Sequence, residues 1–142
     1  ASQEFTLISP EQFDEFLLQY HLPFLKHFGL SAYGCCEDLT RKIDKLRQIP
    51  NLRRIAVSPF ADVRSCAEQI GRDYVMSYRP NPADLMGSDC LELCEKNIRR
   101  DFAFLKGTFF DITLKDVETV EYDPHRIGDW VKTVRKIVEE TF

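Results

Sequence analysis

The feature that most constrains this chain is a change of hydrophobic period that repeats four times. Short unbroken apolar runs alternate with stretches whose apolar residues recur every three or four positions. The runs at 30–36, 54–59, 74–78 and 109–120 each read as a strand buried on both faces. After the first run, Leu39, Ile43 and Leu46 mark an amphipathic helix over 37–48, closed by Ile49-Pro50. After the second, Val63, Cys66, Ala67 and Ile70 mark a helix that Gly71 stops. Asp89 is the expected cap of a third helix running through Leu91, Cys94, Ile98, Phe102 and Leu105 to Gly107. Asp123-Pro124 opens the last, whose apolar stripe is Ile127, Trp130, Val131, Val134, Ile137 and Val138.

A helix precedes these four strand–helix units. Ser9-Pro10-Glu11-Gln12 combines a hydroxyl cap, proline at the first helical position and glutamine three residues after the cap. Phe13, Phe16, Leu17, Tyr20, Phe24 and Phe28 keep the spacing of one buried face, with Pro23 expected to kink the helix and Gly29 to end it.

Right-handed crossovers turn this alternation into an α/β fold with a parallel sheet and helices outside it. The 142 residues fit a single domain, 1–142. Two architectures satisfy the pattern. One is an open doubly wound sheet, and the other is half of a TIM (β/α)8 barrel, which takes about 250 residues when whole. An isolated half-barrel leaves two unpaired strand edges and demands a partner. A free-standing open sheet should stay monomeric.

Charge narrows the function classes. Nineteen Lys and Arg against 23 Asp and Glu give a net charge of −4, so no basic surplus favours nucleic acid or an anionic membrane. No apolar run approaches the roughly 18 residues of a membrane span, and the N-terminal residues lack a signal-peptide pattern. The expectation is a soluble, cytoplasmic protein. Five cysteines, an odd number with one adjacent pair, do not form a secreted disulfide framework. Cys66, Cys90 and Cys94 read as small buried hydrophobes.

In both architectures function sits at the carboxyl ends of the strands. Those ends carry Tyr33, Cys35, Cys36 and Glu37, then Ser58, then Tyr78, Arg79 and Asn81, then Asp116 and Glu118. On a continuing strand, Tyr33, Cys35 and Glu37 share one face, leaving Cys36 on the other as packing. Cys35, as a thiolate, is the strong metal donor of this set. Arg79 is suited to a carboxylate or phosphate. His21, His27 and His125 lack a second histidine at helical spacing, and no H-E-x-x-H, G-x-S-x-G or glycine-rich phosphate loop occurs.

Three segments at these ends, Tyr33-Gly34-Cys35-Cys36-Glu37-Asp38-Leu39, residues 49–59 and Ser77-Tyr78-Arg79-Pro80-Asn81-Pro82-Ala83, together resemble the uroporphyrinogen decarboxylase-like superfamily. The likeness is to its corrinoid-dependent methyltransferase branch rather than the haem-pathway enzyme, and to the C-terminal half of a member. It implies half of a (β/α)8 barrel engaged in one-carbon metabolism, incomplete as an enzyme alone, with a corrinoid carrier protein as partner. It further implies catalytic roles for Cys35, Glu37, Arg79 and Asp116, and substrate contacts from Tyr33, Ser58, Tyr78 and Asn81. Methyltransferase members hold zinc through a His-x-Cys and a later cysteine. Here Tyr33 stands in the histidine's place, Cys35 matches the first cysteine, and 113–119 contains none. A second expectation is a non-catalytic assembly module that forms a homodimer or completes an N-terminal-half partner.

Overall fold

The computed structural model describes residues 3–142. Its centre is a parallel sheet of β1 (Ser31–Tyr33), β2 (Leu52–Val57), β3 (Val75–Tyr78) and β4 (Phe109–Ile112), in the order β1-β2-β3-β4. The register aligns Ala32, Arg54, Val75 and Phe109 in one row and Tyr33, Ile55, Met76 and Phe110 in the next. Because side chains alternate along each strand, neighbouring rows face opposite sides of the sheet.

The helices build the layer that covers one side. The first is α1 (Pro10–Phe13) and α2 (Gln19–Leu25), joined by a π-helical stretch, Asp14–Leu18. Then come α3 (Ile43–Leu46), α4 (Val63–Ile70), α5 (Cys90–Leu105) and α6 (His125–Thr141). Helix α3 packs on α4, α4 on α5 and α5 on α6, a row in chain order. Tyr33, Ile55, Met76, Val57 and Tyr78 meet Ile43, Leu46, Ile70, Ile98 and Phe102 in a continuous core. Each such side chain, fully buried, stabilises the fold by about 1.5–3 kcal/mol.

The opposite side of the sheet is more open and more polar. Ala32 and Phe109 are exposed, and Arg54 pairs with Asp111 at 2.5 Å while both stay partly open to solvent. Arg54 Nε and Ser77 Oγ are buried with no hydrogen-bond partner among the described residues. Ala32, Arg54, Ser77 and Asp111 thus share with Val75 and Phe109 a face that periodicity assigned to fully buried strands.

Four local expectations need correction. The capping box at Ser9 and Gln12 forms as expected, with Gln12 N–H donating to Ser9 Oγ at 3.2 Å and Ser9 N–H to Gln12 Oε1 at 3.3 Å. The wide π stretch then rotates the helix so that Phe13 and Leu18 are buried, while Phe16 (56 %), Tyr20 (67 %), Phe24 (70 %) and Phe28 (60 %) are exposed. The expected single buried face is thus an exposed aromatic stripe. The helix of 37–48 is reduced to Ile43–Leu46, because Asp38 accepts both the backbone N–H and the hydroxyl of Thr40, at 2.8 and 2.5 Å, and holds a turn. Strand β4 stops at Ile112 rather than 120, and Asp116, at φ 60°, lies off the strand path. Asp89 precedes α5 but makes no capping bond, its carboxylate instead accepting from the Ser88 hydroxyl at 3.0 Å.

Among the described residues no helix is long and apolar enough to cross a membrane.

Candidate functional site

The site begins where β1 ends. Gly34 takes φ +98°, and a Cβ there would stand 2.6 Å from Leu39 Cδ1 and 2.9 Å from the Ala56 Cβ. Only glycine fits both the dihedral and the space, so the chain leaves the strand at this point. Cys35 then sits in a bend with its backbone held at both ends. Its N–H donates to Glu37 Oε2 at 2.8 Å, and its carbonyl accepts from the Arg79 guanidinium.

The two sulfurs turn toward the segment after β4. Lys115 Nζ lies 2.6 Å from Cys35 Sγ and 3.5 Å from Cys36 Sγ. The Cys36 thiol donates to Asp116 Oδ2 at 2.9 Å, and the sulfurs are 3.5 Å apart. The expectation that adjacent cysteines face opposite sides is overturned, because the alternation on which it rested ends with β1 at Tyr33.

Opposite neighbours give the two thiols opposite proton affinities. The Lys115 ammonium lowers the Cys35 pKa from its ordinary 9.0, chiefly by its hydrogen bond to the sulfur. The Asp116 carboxylate, accepting the Cys36 proton, raises that thiol, with burial adding to the effect. The two adjacent sulfurs are thus shifted in opposite directions, Cys35 toward the thiolate and Cys36 toward the thiol. By contrast, burial pushes Cys66 and Cys94 up to about 11, consistent with their place in the core.

Of the expected site residues, Cys35, Glu37, Arg79 and Asp116 come together here. Glu37 is buried and grips the turn. Tyr33 lies beneath the helix layer, edge-on to Phe13, with its hydroxyl 3.1 Å from His21 Nδ1. Tyr78 is also turned to the helices and donates to Asp101 Oδ2 at 2.6 Å. Ser58, Tyr78 and Asn81 border a cavity of about 170 Å³ whose lining includes Arg79, Asp84 and Arg100 but neither site cysteine. Asn81 accepts the Ala83 N–H at 3.1 Å, heading a short 3-10 turn. Glu118 borders a shallower hollow of about 340 Å³ with Pro82 and Met86.

No family model, curated protein or solved structure matches this chain. The site is therefore read from its own atoms.

Zinc of the kind the resemblance implies does not fit these atoms. Among the described residues no three or more His, Cys, Asp or Glu side chains are grouped to hold a metal ion. The Lys115 ammonium already faces the Cys35 sulfur where a cation would bind, and the buried Tyr33 has its hydroxyl 3.1 Å from His21 Nδ1. Cys36 and Lys115 are the site members that sequence reasoning passed over. The adjacent Cys-Cys pair was the available signal for the first. Lys115 carried none, since a strand drawn to 120 placed it mid-strand.

Proposed function

We propose that this chain is the C-terminal half of a (β/α)8 barrel of the uroporphyrinogen decarboxylase-like class, serving cytoplasmic methyl transfer with a corrinoid carrier protein. The observation that carries this reading is the strand order. Four parallel strands stand in chain order, and their helices pack in the same order, α3 on α4, α4 on α5 and α5 on α6, as right-handed crossovers of a barrel would arrange them. A doubly wound sheet reverses its order. The more open face carries the partly exposed Arg54–Asp111 pair, and closure of a barrel would enclose it. The thiol pair lies at the carboxyl ends of the strands, where barrel enzymes place their chemistry.

Within that frame Cys35 is the nucleophile. Lys115 holds its charge, Arg79 and Glu37 fix its backbone, and Asp116 sets the protonation of Cys36. A corrinoid, when bound, supplies an electrophilic methyl group. The test is a single turnover with methylcobalamin under anaerobic conditions. The expected result is a methyl group on the Cys35 peptide, lost in Cys35→Ser. Methylation of no cysteine, or equally of all five, would remove this reading.

A second reading is favoured by the aromatic stripe of Phe16, Tyr20 and Phe24. In it the chain is a non-catalytic assembly module that forms a homodimer or completes an N-terminal-half partner. Such an obligate interface buries more than about 2,000 Å².

A further inference from the structure

We infer that Cys35 and Cys36 form a peroxide-reactive dithiol that closes to a vicinal disulfide, a two-electron redox activity separate from methyl transfer. The inference rests on the placement of four side chains. The sulfurs lie 3.5 Å apart, Lys115 Nζ lies 2.6 Å from Cys35 Sγ, and Asp116 Oδ2 accepts from Cys36 at 2.9 Å. Both cysteines are only partly buried, whereas Cys66, Cys90 and Cys94 are enclosed. The first pair is therefore the more open to a small hydroperoxide.

Each neighbour has a defined part in the chemistry. The Cys35 thiolate attacks one oxygen of the hydroperoxide and the O–O bond breaks. The departing oxygen takes a proton from the Lys115 ammonium and leaves as water or an alcohol, and Cys35 becomes a sulfenic acid. Cys36 then attacks the Cys35 sulfur as its proton passes to Asp116. The S–O bond breaks, the hydroxide collects that proton and leaves as water, and the S–S bond forms. The two sulfurs together lose two electrons, which the hydroperoxide gains. Lys115 regains its proton from solvent. A small-molecule thiol restores the dithiol by exchange.

Cysteine packing alone does not account for this arrangement. A packing thiol needs no ammonium on its sulfur, and two packing thiols need no opposed charges. The reaction asks only for the turn after β1 and the segment after β4 of this chain, so it proceeds whether or not the sheet is completed by another half.

The test treats the full chain with hydrogen peroxide and maps its cysteines by mass spectrometry with dimedone as the sulfenic-acid trap. Wild type is expected to lose two hydrogens on the peptide bearing Cys35 and Cys36, with no dimedone adduct. Cys36→Ser is expected to accumulate the adduct on Cys35. Cys35→Ser is expected to consume peroxide more slowly by on the order of tenfold. A wild-type adduct on Cys35 without disulfide, an adduct first on Cys36, or equal oxidation of Cys66, Cys90 and Cys94 would overturn the inference. The wild-type readout stands without any variant. A disulfide formed without methylation by methylcobalamin would sustain this activity and remove the proposed function.

Discussion

Gly34 is the residue on which the thiol pair turns. Its φ of +98° and the 2.9 Å approach to the Ala56 Cβ leave no space for a side chain. Gly34→Ala is expected to destabilise the protein by about 1–3 kcal/mol in urea unfolding, since an alanine held in that region is strained. The displaced turn should also separate Cys35 from Lys115. Lys115 itself sets the acidity of Cys35. The rate of iodoacetamide alkylation at Cys35, followed against pH, should reach half-maximum below the ordinary thiol value of 9.0. The sign follows from the charge, because an ammonium on the sulfur favours its deprotonated form. Lys115→Met should move that midpoint to higher pH and slow alkylation near pH 7. An unchanged profile would show that Lys115 does not govern the thiol. Cys35 itself was legible in the sequence as a strand-end thiol. Its ammonium was not, because 80 residues separate Lys115 from Cys35.

At the scale of elements, the first helix shows why apolar spacing does not assign a buried face. Ser9 and Gln12 gave its start directly, since a capping box is made within four residues. Phe13 and Phe16 carry the same signal in the letters, yet one is 1 % and the other 56 % exposed. Phe13→Ala is expected to cost about 3–5 kcal/mol as a core truncation. Phe16→Ala should change the stability of the isolated chain by no more than about 0.5 kcal/mol. Equal losses in urea unfolding would mean that Phe16 is buried in solution. Helix α3 makes the complementary point. Leu39, Ile43 and Leu46 are all in the core as their spacing indicated, although only the last two lie in the helix. Burial followed the apolar stripe, while the Asp38–Thr40 turn decided the backbone.

Across the whole molecule, the more open sheet face and the aromatic stripe belong to one prediction. Exposed aromatic area of this extent on an otherwise charged surface favours association. Sedimentation equilibrium of the chain alone should show self-association, and Phe16→Glu with Phe24→Glu should shift it to monomer. Those positions are already exposed, so the change leaves the core intact. A monomeric wild type would contradict the homodimer. Addition of an N-terminal-half partner to such a monomer should then produce a one-to-one complex if the chain completes a barrel.

The sequence by itself determined the α/β alternation, the four parallel strands in their approximate places, and the burial of Cys66, Cys90 and Cys94. These follow from period and length, which neighbouring residues set between them. Tertiary structure alone decided the strand order, which face of the first helix is buried, and the meeting of Cys35 and Cys36 with Lys115 and Asp116. The physical reason is range. A period records which side of an element is apolar, but contacts between residues far apart in the chain decide what that side meets. Past the end of a strand, the turn at Gly34 rather than alternation sets where a side chain points.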